Sequence, residues 1–582
     1  MDSILAHDME GPGLRHEIEM PEDPRYRIAF PKLTPAQIKA LEDYGTRKTF
    51  AKGEAVWTGG TVDLCMYVII QGELQIVDPR TGLHIATHVT GSFSGDIDIL
   101  SGRASLVNGI AGTDLEVLQV PADCVRIIVG ERPELGEIIL RAYLMRRALL
   151  IETGKAALVV VGSRYDPNTL RIREFLARNL YPVVWEDLET NPDTLQVLGE
   201  FHIKEDETPV VVLPSGDVLR VPTNTQLAEA LGIKKPADSK IYDLVIVGAG
   251  PAGLAAAVYG ASEGLSTLVL DATGPGGQAG TSSKIENYMG FPLGLTGQEL
   301  ADGALVQAEK FGARFILPAR VKEITCREIG GHAICLDDGE KIECKCVILA
   351  PGAQYRKLDF DGHEKFDGRG VYYAATYIEQ MMCGGSRVGV VGGGNSAGQA
   401  AVFMAEKALE VLLVVRGGNL RDTMSSYLAR RIEGMKKISV LLHSEVCGIN
   451  GRDALEAMTV TNSETKAEKT EKVAALFVMI GASPHTDWLP DGIERDNAGF
   501  ILTGPQLTQA GAWDQDRPPF FLETACPGVF AAGDCRANSV KRVASAVGEG
   551  AMAVAFVHQY LSSYSFPSQP AEHDQAPAAT LR

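Results

Sequence analysis

The sequence predicts a multidomain α/β protein with an all-β module near its N-terminus, and three observations carry that reading. The first is a strand–glycine–helix pattern that occurs twice, as YDLVIVGAGPAG from Tyr242 and as RVGVVGGGNSAGQ from Arg387. In each, a run of aliphatic residues makes a buried parallel strand, and the glycines allow a tight turn and close backbone approach to a pyrophosphate at the start of a helix. The second is the stretch Lys48–Val120, where short alternating segments such as CMYVIIQGELQIV and DLEVLQV are punctuated by Gly53, Gly60, Gly72, Gly82 and Gly91. Many short strands at this spacing indicate a β-barrel or jelly roll. The third is the length of 582 residues, which exceeds what one hydrophobic core serves.

Composition narrows the partners. Hydrophobic residues make up 45% and charged residues 22%, as in ordinary globular proteins, and the net charge of −19 supplies no basic face for nucleic acid or anionic membrane. Ten cysteines are scattered without a CxxC, and the closest pair, Cys344 and Cys346, falls on one strand face. MDSILAHDME has no positive n-region, and no apolar run approaches 18 residues. A cytoplasmic, reducing setting is the expectation.

Taken in order, residues 1–27 are a polar, acidic extension, expected to be disordered or a strap over another domain. Residues 28–153 form the β module. It is entered through KLTPAQIKALEDYG, where Thr34 caps, Pro35 opens and Gly45 stops a helix, and closed by the amphipathic PELGEIILRAYLMRRALLI. Residues 154–233 read as a small α/β unit: strand AALVVVG, helix PNTLRIREFLARN, strands YPVVWEDL and TPVVVLPSG, and a last helix stopped by Gly232. KKPADSK is the linker into the two glycine-loop domains, and SFPSQPAEHDQAPAATLR, from residue 566 a separate segment, is a tail.

Three resemblances refine this. Residues 28 to about 150 resemble the cyclic nucleotide-binding domain family, with GSFSGDIDILSGRASLV at the phosphate-binding cassette. Asp96 stands at the position of the family's ribose-binding glutamate and Ser105 at that of its phosphate-binding arginine, with Arg103 two residues out of register. Losing a charge-assisted bidentate contact removes roughly 1.5–3 kcal/mol, so a structural or interaction role is preferred to a cyclic nucleotide sensor. Residues 156 to about 232 resemble the thioredoxin and glutaredoxin fold, including Thr208-Pro209 at the family's cis-proline position. The loop GSRYDPNTL carries no cysteine, so the unit is redox-silent and a docking role is expected.

Residues 240–565 resemble the low-molecular-weight thioredoxin reductases, through VGAGPAG, GPGGQAGTSSKIENYMGFP, VILAPGAQYRKL, GGGNSAGQ, VMIGASPHT and PGVFAAGDCRANSVKRVASAVGEGA. The resemblance implies a homodimer with a discontinuous FAD domain, 240–355 and 486–565, and a nicotinamide domain, 356–485. The FAD ligands it implies are Gly248, Gly250, Pro251, Ala252, Gly253, Asp271, Gln278, Asn287, Val321, Gly533, Asp534, Arg542, Val543 and Ala544. For the nicotinamide coenzyme it implies Gly392, Gly394, Asn395, Ser396, Ala397, Arg416, Arg421, Ile480 and Gly481. Arg416 and Arg421 follow strand VLLVV where an acid would favour NADH, so NADPH is preferred with NADH as the alternative. The family's second adjacent arginine is Gly417 here. Lys541 and Arg542 replace arginine and glutamine, and Arg542 is expected to place positive charge near the flavin.

The departure that decides function lies in RGVYYAATYIEQ. The family carries its redox CxxC there, and this chain has Ala374, Ala375, Thr376 and Tyr377. The family's electron route to a protein disulfide is therefore absent. Cys383 reads as a buried bystander and Tyr377 as a flavin-facing residue. The reading is an FAD enzyme taking hydride from NADPH and passing electrons to a quinone, dioxygen, a ferredoxin-like carrier protein or a small substrate. Disulfide reduction through another cysteine, and a regulatory flavoprotein, are the alternatives. No metal site is expected.

Overall fold

The computed structural model describes residues 23–563, apart from 63, 190–202, 205–206, 235, 238–240, 283–284, 286, 328–330, 359, 361–362, 374 and 376. Two compact units result: residues up to Lys235 with Thr273–Phe311 and Tyr355–Ala482, and Pro236–Ala272 with Gly312–Gln354 and residues from Ser483 onward. Residues 273–311, inside the stretch 240–355, thus group with the first unit. The N-terminal residues 1–22, the C-terminal tail and most of the linker lie outside the described residues.

The first unit begins with a short helix, Arg25–Ala29, so structure starts earlier than the sequence suggested and the expected boundary at residue 27 falls inside a helix. It acts as a strap: Arg146 donates to the Ala29 carbonyl at 2.7 Å, and Arg25 pairs with Glu152. Helix Pro35–Leu41 carries the Thr34 capping box with Gln37, and a 3-10 turn, Glu42–Tyr44, carries the chain to Gly45. The β module is two antiparallel sheets: Thr46–Phe50, Leu115–Pro121 and Cys65–Gln71 in one, and Ala55–Trp57, Asn108–Ala111, Glu73–Val77 and His84–Val89 in the other. Their inward faces bury Tyr67, Ile69, Leu74, Ile76 and Val117 together. Helices Ala122–Glu131 and Pro133–Thr153 close the module.

In the small α/β unit, strand Leu158–Gly162 lies centrally, parallel to Val183–Asp187 and antiparallel to Val210–Val212, which pairs with Val218–Arg220. The Thr208-Pro209 peptide is cis. Helix Pro167–Arg178 has Asp166 as its cap. Its N-terminal turn reaches the second glycine-loop domain: Leu170 packs on that domain's core, and a side chain at Gly368 would meet Pro167 at 3.4 Å.

That domain carries a five-stranded parallel sheet in the order Val371–Tyr372, Ala475–Val478, Arg387–Val391, Glu410–Val414, Ile438–Leu441, and a three-stranded antiparallel layer formed by Ser444–Gly451, Leu455–Asn462 and Glu468–Lys472. The β-branched strands are buried on both faces, which is why they read as continuous apolar runs.

The second unit holds a seven-stranded sheet ordered Arg314–Ile316, Thr267–Leu270, Tyr242–Val247, Lys341–Leu349, His332–Leu336, Val321–Thr325. Its seventh strand, Val529–Ala531, comes from nearly two hundred residues later and runs parallel to Val347–Leu349. Cys344 and Cys346 do lie on one face of their strand, and both are buried. Helix Val543–Ser563 lies along helix Pro251–Ser262, where a side chain at Gly550 would strike the Ala252 carbonyl at 2.0 Å.

Candidate functional site

The first glycine loop is set by contacts that exclude side chains. Gly248 has φ +109°, and a Cβ there would lie 2.1 Å from the Ala350 carbonyl oxygen. A Cβ at Gly253 would lie 1.8 Å from the Gly248 carbonyl, so the helix can approach the strand only with glycine at this position. Gly250 is the N-cap of helix Pro251–Ser262 and supplies no side-chain cap, leaving the first-turn N–H groups directed out of the helix end for an anion. Asp271 follows strand Thr267–Leu270 and accepts the Ala249 N–H at 2.8 Å, which fixes a carboxylate beside the loop. The Ala319 N–H donates to the Asp271 carbonyl, bringing the segment before the buried Val321 to the same strand end.

The later strand completes this edge. Gly533 and Asp534 form a 3-10 turn after Val529–Ala531, and the Gly533 N–H donates to Glu549 at 2.7 Å. Burial raises the Asp534 carboxyl above the usual range, opposed by Lys541, whose ammonium donates to the Asp534 carbonyl. The Arg542 side chain is exposed, and its carbonyl accepts the Ala546 N–H where Val543 and Ala544 open the long helix. Thus Gly248 to Gly253, Asp271, Val321, Gly533, Asp534 and Arg542 to Ala544 belong to one unit. Gln278 and Asn287 fall in the segment that groups with the other unit: Gln278 precedes a 3-10 turn, and Asn287 is exposed.

The second loop repeats the logic within the first unit. Gly392 has φ +138°, and a Cβ there would lie 2.3 Å from the Met479 carbonyl and 3.1 Å from the fully buried Ala397. Gly394 caps helix Asn395–Ala405 with no side chain, and a Cβ there would meet nothing within 4 Å, so the space before the helix is open. Asn395 accepts the Ser425 N–H at 2.8 Å and is thereby a positioning group, while Ser396 faces solvent. Ile480 packs on the domain core, and the exposed Gly481 accepts the Arg356 N–H.

The two arginines after strand Glu410–Val414 differ. Both are exposed, but Arg421 is engaged by Glu433 at 2.7 Å, whereas Arg416 makes no ion pair among the described residues. His443 was missed in the sequence. Its N–H donates to the Gly417 carbonyl, and its ring lies 2.6 Å from where a Gly418 Cβ would be, so it backs the loop joining the arginines. It sits in the turn between strands Ile438–Leu441 and Ser444–Gly451, with no motif to mark it.

A family model described as "Pyridine nucleotide-disulphide oxidoreductase" matches residues 242–550, more than half of the chain. The chain belongs to that family. The oxidoreductase is 32% identical to a thioredoxin reductase of Mycoplasmopsis pulmonis over 54% of this chain and 96% of the relative, and 31% identical to one of Bacillus subtilis over 56% and 96%. Among solved structures it is similar to Lactococcus lactis thioredoxin reductase, described as the FR conformation, with TM-score 0.50 and 29% identity over 55% of this chain and 99% of that one. A cyclic nucleotide-binding domain model matches residues 47–131.

In this oxidoreductase, Ala374 and Thr376 lie outside the described residues, as does the side chain of Tyr377; helix Tyr377–Met382 follows. Cys383, one residue beyond that helix, is 5% exposed, and burial pushes its thiol up to about 12. A thiol held protonated at neutral pH is a poor nucleophile.

The cassette of the β module spends its charged groups internally. Asp96 pairs with Arg147 at 2.5 Å, and the same guanidinium holds the buried Asp98. Arg103 turns away and donates to the Asn179 carbonyl of the small α/β unit at 2.7 Å. Ser105 accepts from the Trp57 indole and donates to Val107. The module's cavity, lined by Trp57, His88, Asp96, Ser105 and Arg146 among others, is about 90 Å³. Arg146, at the wall of this cavity, is no free cation for a phosphate, since it donates to the carbonyls of Ala29, Gly95 and Phe93.

Proposed function

We propose that the chain is an FAD-dependent oxidoreductase that takes hydride from NADPH and delivers electrons to an acceptor other than a thioredoxin-type disulfide. The observation that carries the acceptor half is the pair of residues Ala374 and Tyr377 where the family's thiols would stand, with the nearest cysteine, Cys383, buried and protonated. FAD when bound supplies the hydride-accepting ring, and NADPH the hydride. The residues present suit both groups: two glycine loops that a Cβ would fill, each leading into an uncapped helix start.

Asp271 holds the first loop, and Asp534 serves as an acceptor for a polyol hydroxyl, a use that burial does not impair because no proton need move. Arg416 meets a 2′-phosphate, with Arg421 shared with Glu433. Arg542 remains the candidate for charge near the flavin, Tyr377 for a flavin-facing ring, and Gln278, Asn287 and Val321 for flavin contacts. Catalysis rests on positioning rather than on acid–base groups.

The protein works as a cytoplasmic homodimer with the domain limits given above, the β module serves as a structural or interaction domain, and the thioredoxin-like unit, which contains no cysteine, is a docking module. Anaerobic stopped-flow tests the reading: NADPH must bleach the yellow protein, and quinones, dioxygen, a ferredoxin-like carrier and oxidised thioredoxin are then mixed in separately. Brisk reoxidation by thioredoxin overturns it. That second reading draws on the thioredoxin reductases among the relatives, and it requires another thiol, of which Cys447 is the exposed one among the described residues. Loss of thioredoxin turnover in Cys447→Ser would establish it.

A further inference from the structure

The seven-stranded sheet of the second unit has a notch in one edge. Strand His332–Leu336 runs antiparallel to the first half of strand Lys341–Leu349, with His332 opposite Cys344. Strand Val529–Ala531 runs parallel to its second half along the same edge, starting opposite Val347. The two edge strands therefore begin three residues apart on their shared partner, about 10 Å at ~3.3 Å per residue. Three side chains converge there: Cys326, one residue after strand Val321–Thr325; His332, at the start of its strand; and Cys526, in the turn before Val529.

Each presents one ligand atom, and these atoms lie within 4.8 Å of one another. His332 is 1% exposed and its Nε2 is enclosed without a well-aligned hydrogen bond, the Pro527 carbonyl being set against the ring, while Nδ1 lies 3.5 Å from the Arg327 N–H, at the long limit of a hydrogen bond. An enclosed ring nitrogen without a well-aligned partner is costly in a finished core and ordinary in a ligand set. Cys526 is 6% exposed, and Cys326 is half-buried at the rim.

We propose that Cys326, His332 and Cys526 form a metal site for a thiophilic divalent cation of the zinc type. Two thiolates and one neutral imidazole favour such an ion, whereas calcium and magnesium demand oxygen ligands. A tetrahedral ion with Zn–S of ~2.3 Å and Zn–N of ~2.0 Å sets its ligand atoms about 3.5–3.8 Å apart. The cluster therefore needs to contract by no more than about 1.3 Å, within reach of side-chain rotation at a half-buried rim. Two thiolates neutralise the ion's charge. The Cys326 side of the notch leaves a fourth position for water, and binding through Nε2 moves the imidazole proton to Nδ1 and opens its long contact with Arg327. The bound ion joins the Val321–Thr325/His332–Leu336 hairpin to the turn that admits the late strand, so its role is to fasten the two ends of the sheet.

The test uses the full-length protein, reduced with a phosphine, stripped with a chelator and titrated with Co²⁺. One equivalent is expected to give the sulfur-to-cobalt charge-transfer absorption and tetrahedral d–d bands, displaced by Zn²⁺, with the melting temperature rising on reloading. Cys326→Ser, at the rim, is expected to lose about half of the charge-transfer intensity, one thiolate of two, and to bind at least tenfold more weakly while keeping its flavin content, which reports that it has folded. His332→Gln gives a third reading through altered d–d bands. Absence of a thiolate–cobalt band in the reduced wild type overturns the proposal, as does an unchanged band in Cys326→Ser. A Cys326–Cys526 disulfide in the isolated protein, combined with no metal uptake after reduction, overturns it in favour of a redox pair.

Discussion

Replacing Arg147 with methionine isolates the electrostatics of the remodelled cassette. The guanidinium is buried between Asp96, whose side chain keeps 17% exposure, and Asp98, with 1%. Even with Arg147 present, burial raises Asp98 to about 6, and Arg147 is the first of the groups that oppose the rise. A carboxyl whose folded value lies above its unfolded one stabilises fully below the unfolded value, and that contribution is lost as pH rises through the folded one. The wild type therefore already loses some stability between about pH 4 and 6. Without Arg147, Asp98 must stay protonated at pH 7, which costs about 1.36 kcal/mol per unit above ~3.9, or about 4 kcal/mol, of which the wild type with Asp98 at about 6 already bears about 3. Removing Arg147 therefore changes stability through Asp98 by about 1.4 kcal/mol at pH 7 and by almost nothing at pH 5, where the carboxyl is protonated in both forms. At ~2–4 °C per kcal/mol or slightly more for a unit of this size, the barrel transition should fall by about 3–6 °C at pH 7 and by less than about 1 °C at pH 5. Scanning calorimetry of the full chain at both pH values measures it, and Arg147→Met with Asp98→Asn should recover most of the loss. A drop under 2 °C at pH 7, or one independent of pH, would refute the reasoning.

Cyclic AMP and cyclic GMP should neither shift that transition nor give calorimetric heat, because the charged cassette groups are spent on Arg147 and Asn179; micromolar binding would contradict this. Gly253→Ala should yield colourless protein, since its methyl meets the Gly248 carbonyl, whereas Gly394→Ala should keep its flavin spectrum and raise KM for NADPH, because the open space it narrows belongs to the coenzyme. Arg416→Ala should lower the NADPH over NADH ratio of kcat/KM about tenfold or more, the value of one charge-assisted contact, while Glu433→Gln should raise that ratio by releasing Arg421. Cys383→Ser should leave steady-state turnover unchanged, as expected for a thiol held near 12.

Much of this was legible in the sequence because it is encoded locally. The strand–glycine–helix units, the Thr34 capping box and the alternating barrel strands each depend on neighbours a few residues apart, and each appears where the pattern put it. The empty thiol positions at 374 and 377 were equally plain. What escaped were contacts made by folding alone. Arg147 reaches Asp96 and Asp98 from a helix some fifty residues on, and no pattern links a helical arginine to a cassette. Arg103 was considered as a compensating phosphate ligand, but it points to Asn179. The helix Arg25–Ala29 was lost in a polar extension because it is too short to show a period. Cys326, His332 and Cys526 meet only because a late strand shares an edge with an early hairpin, so a search for CxxC spacing passes over them.

The bond from Arg103 to Asn179 changes what the β module can tell the rest of the molecule. A sensor needs a part that shifts when its ligand arrives. Here the loop that would shift is riveted to its neighbour by Arg103, and again by Arg147, which reaches the Leu180 carbonyl at 3.3 Å. Movement of the cassette therefore carries the Asn179–Leu180 end of the neighbouring helix with it, so whatever displaces the one is felt by the other.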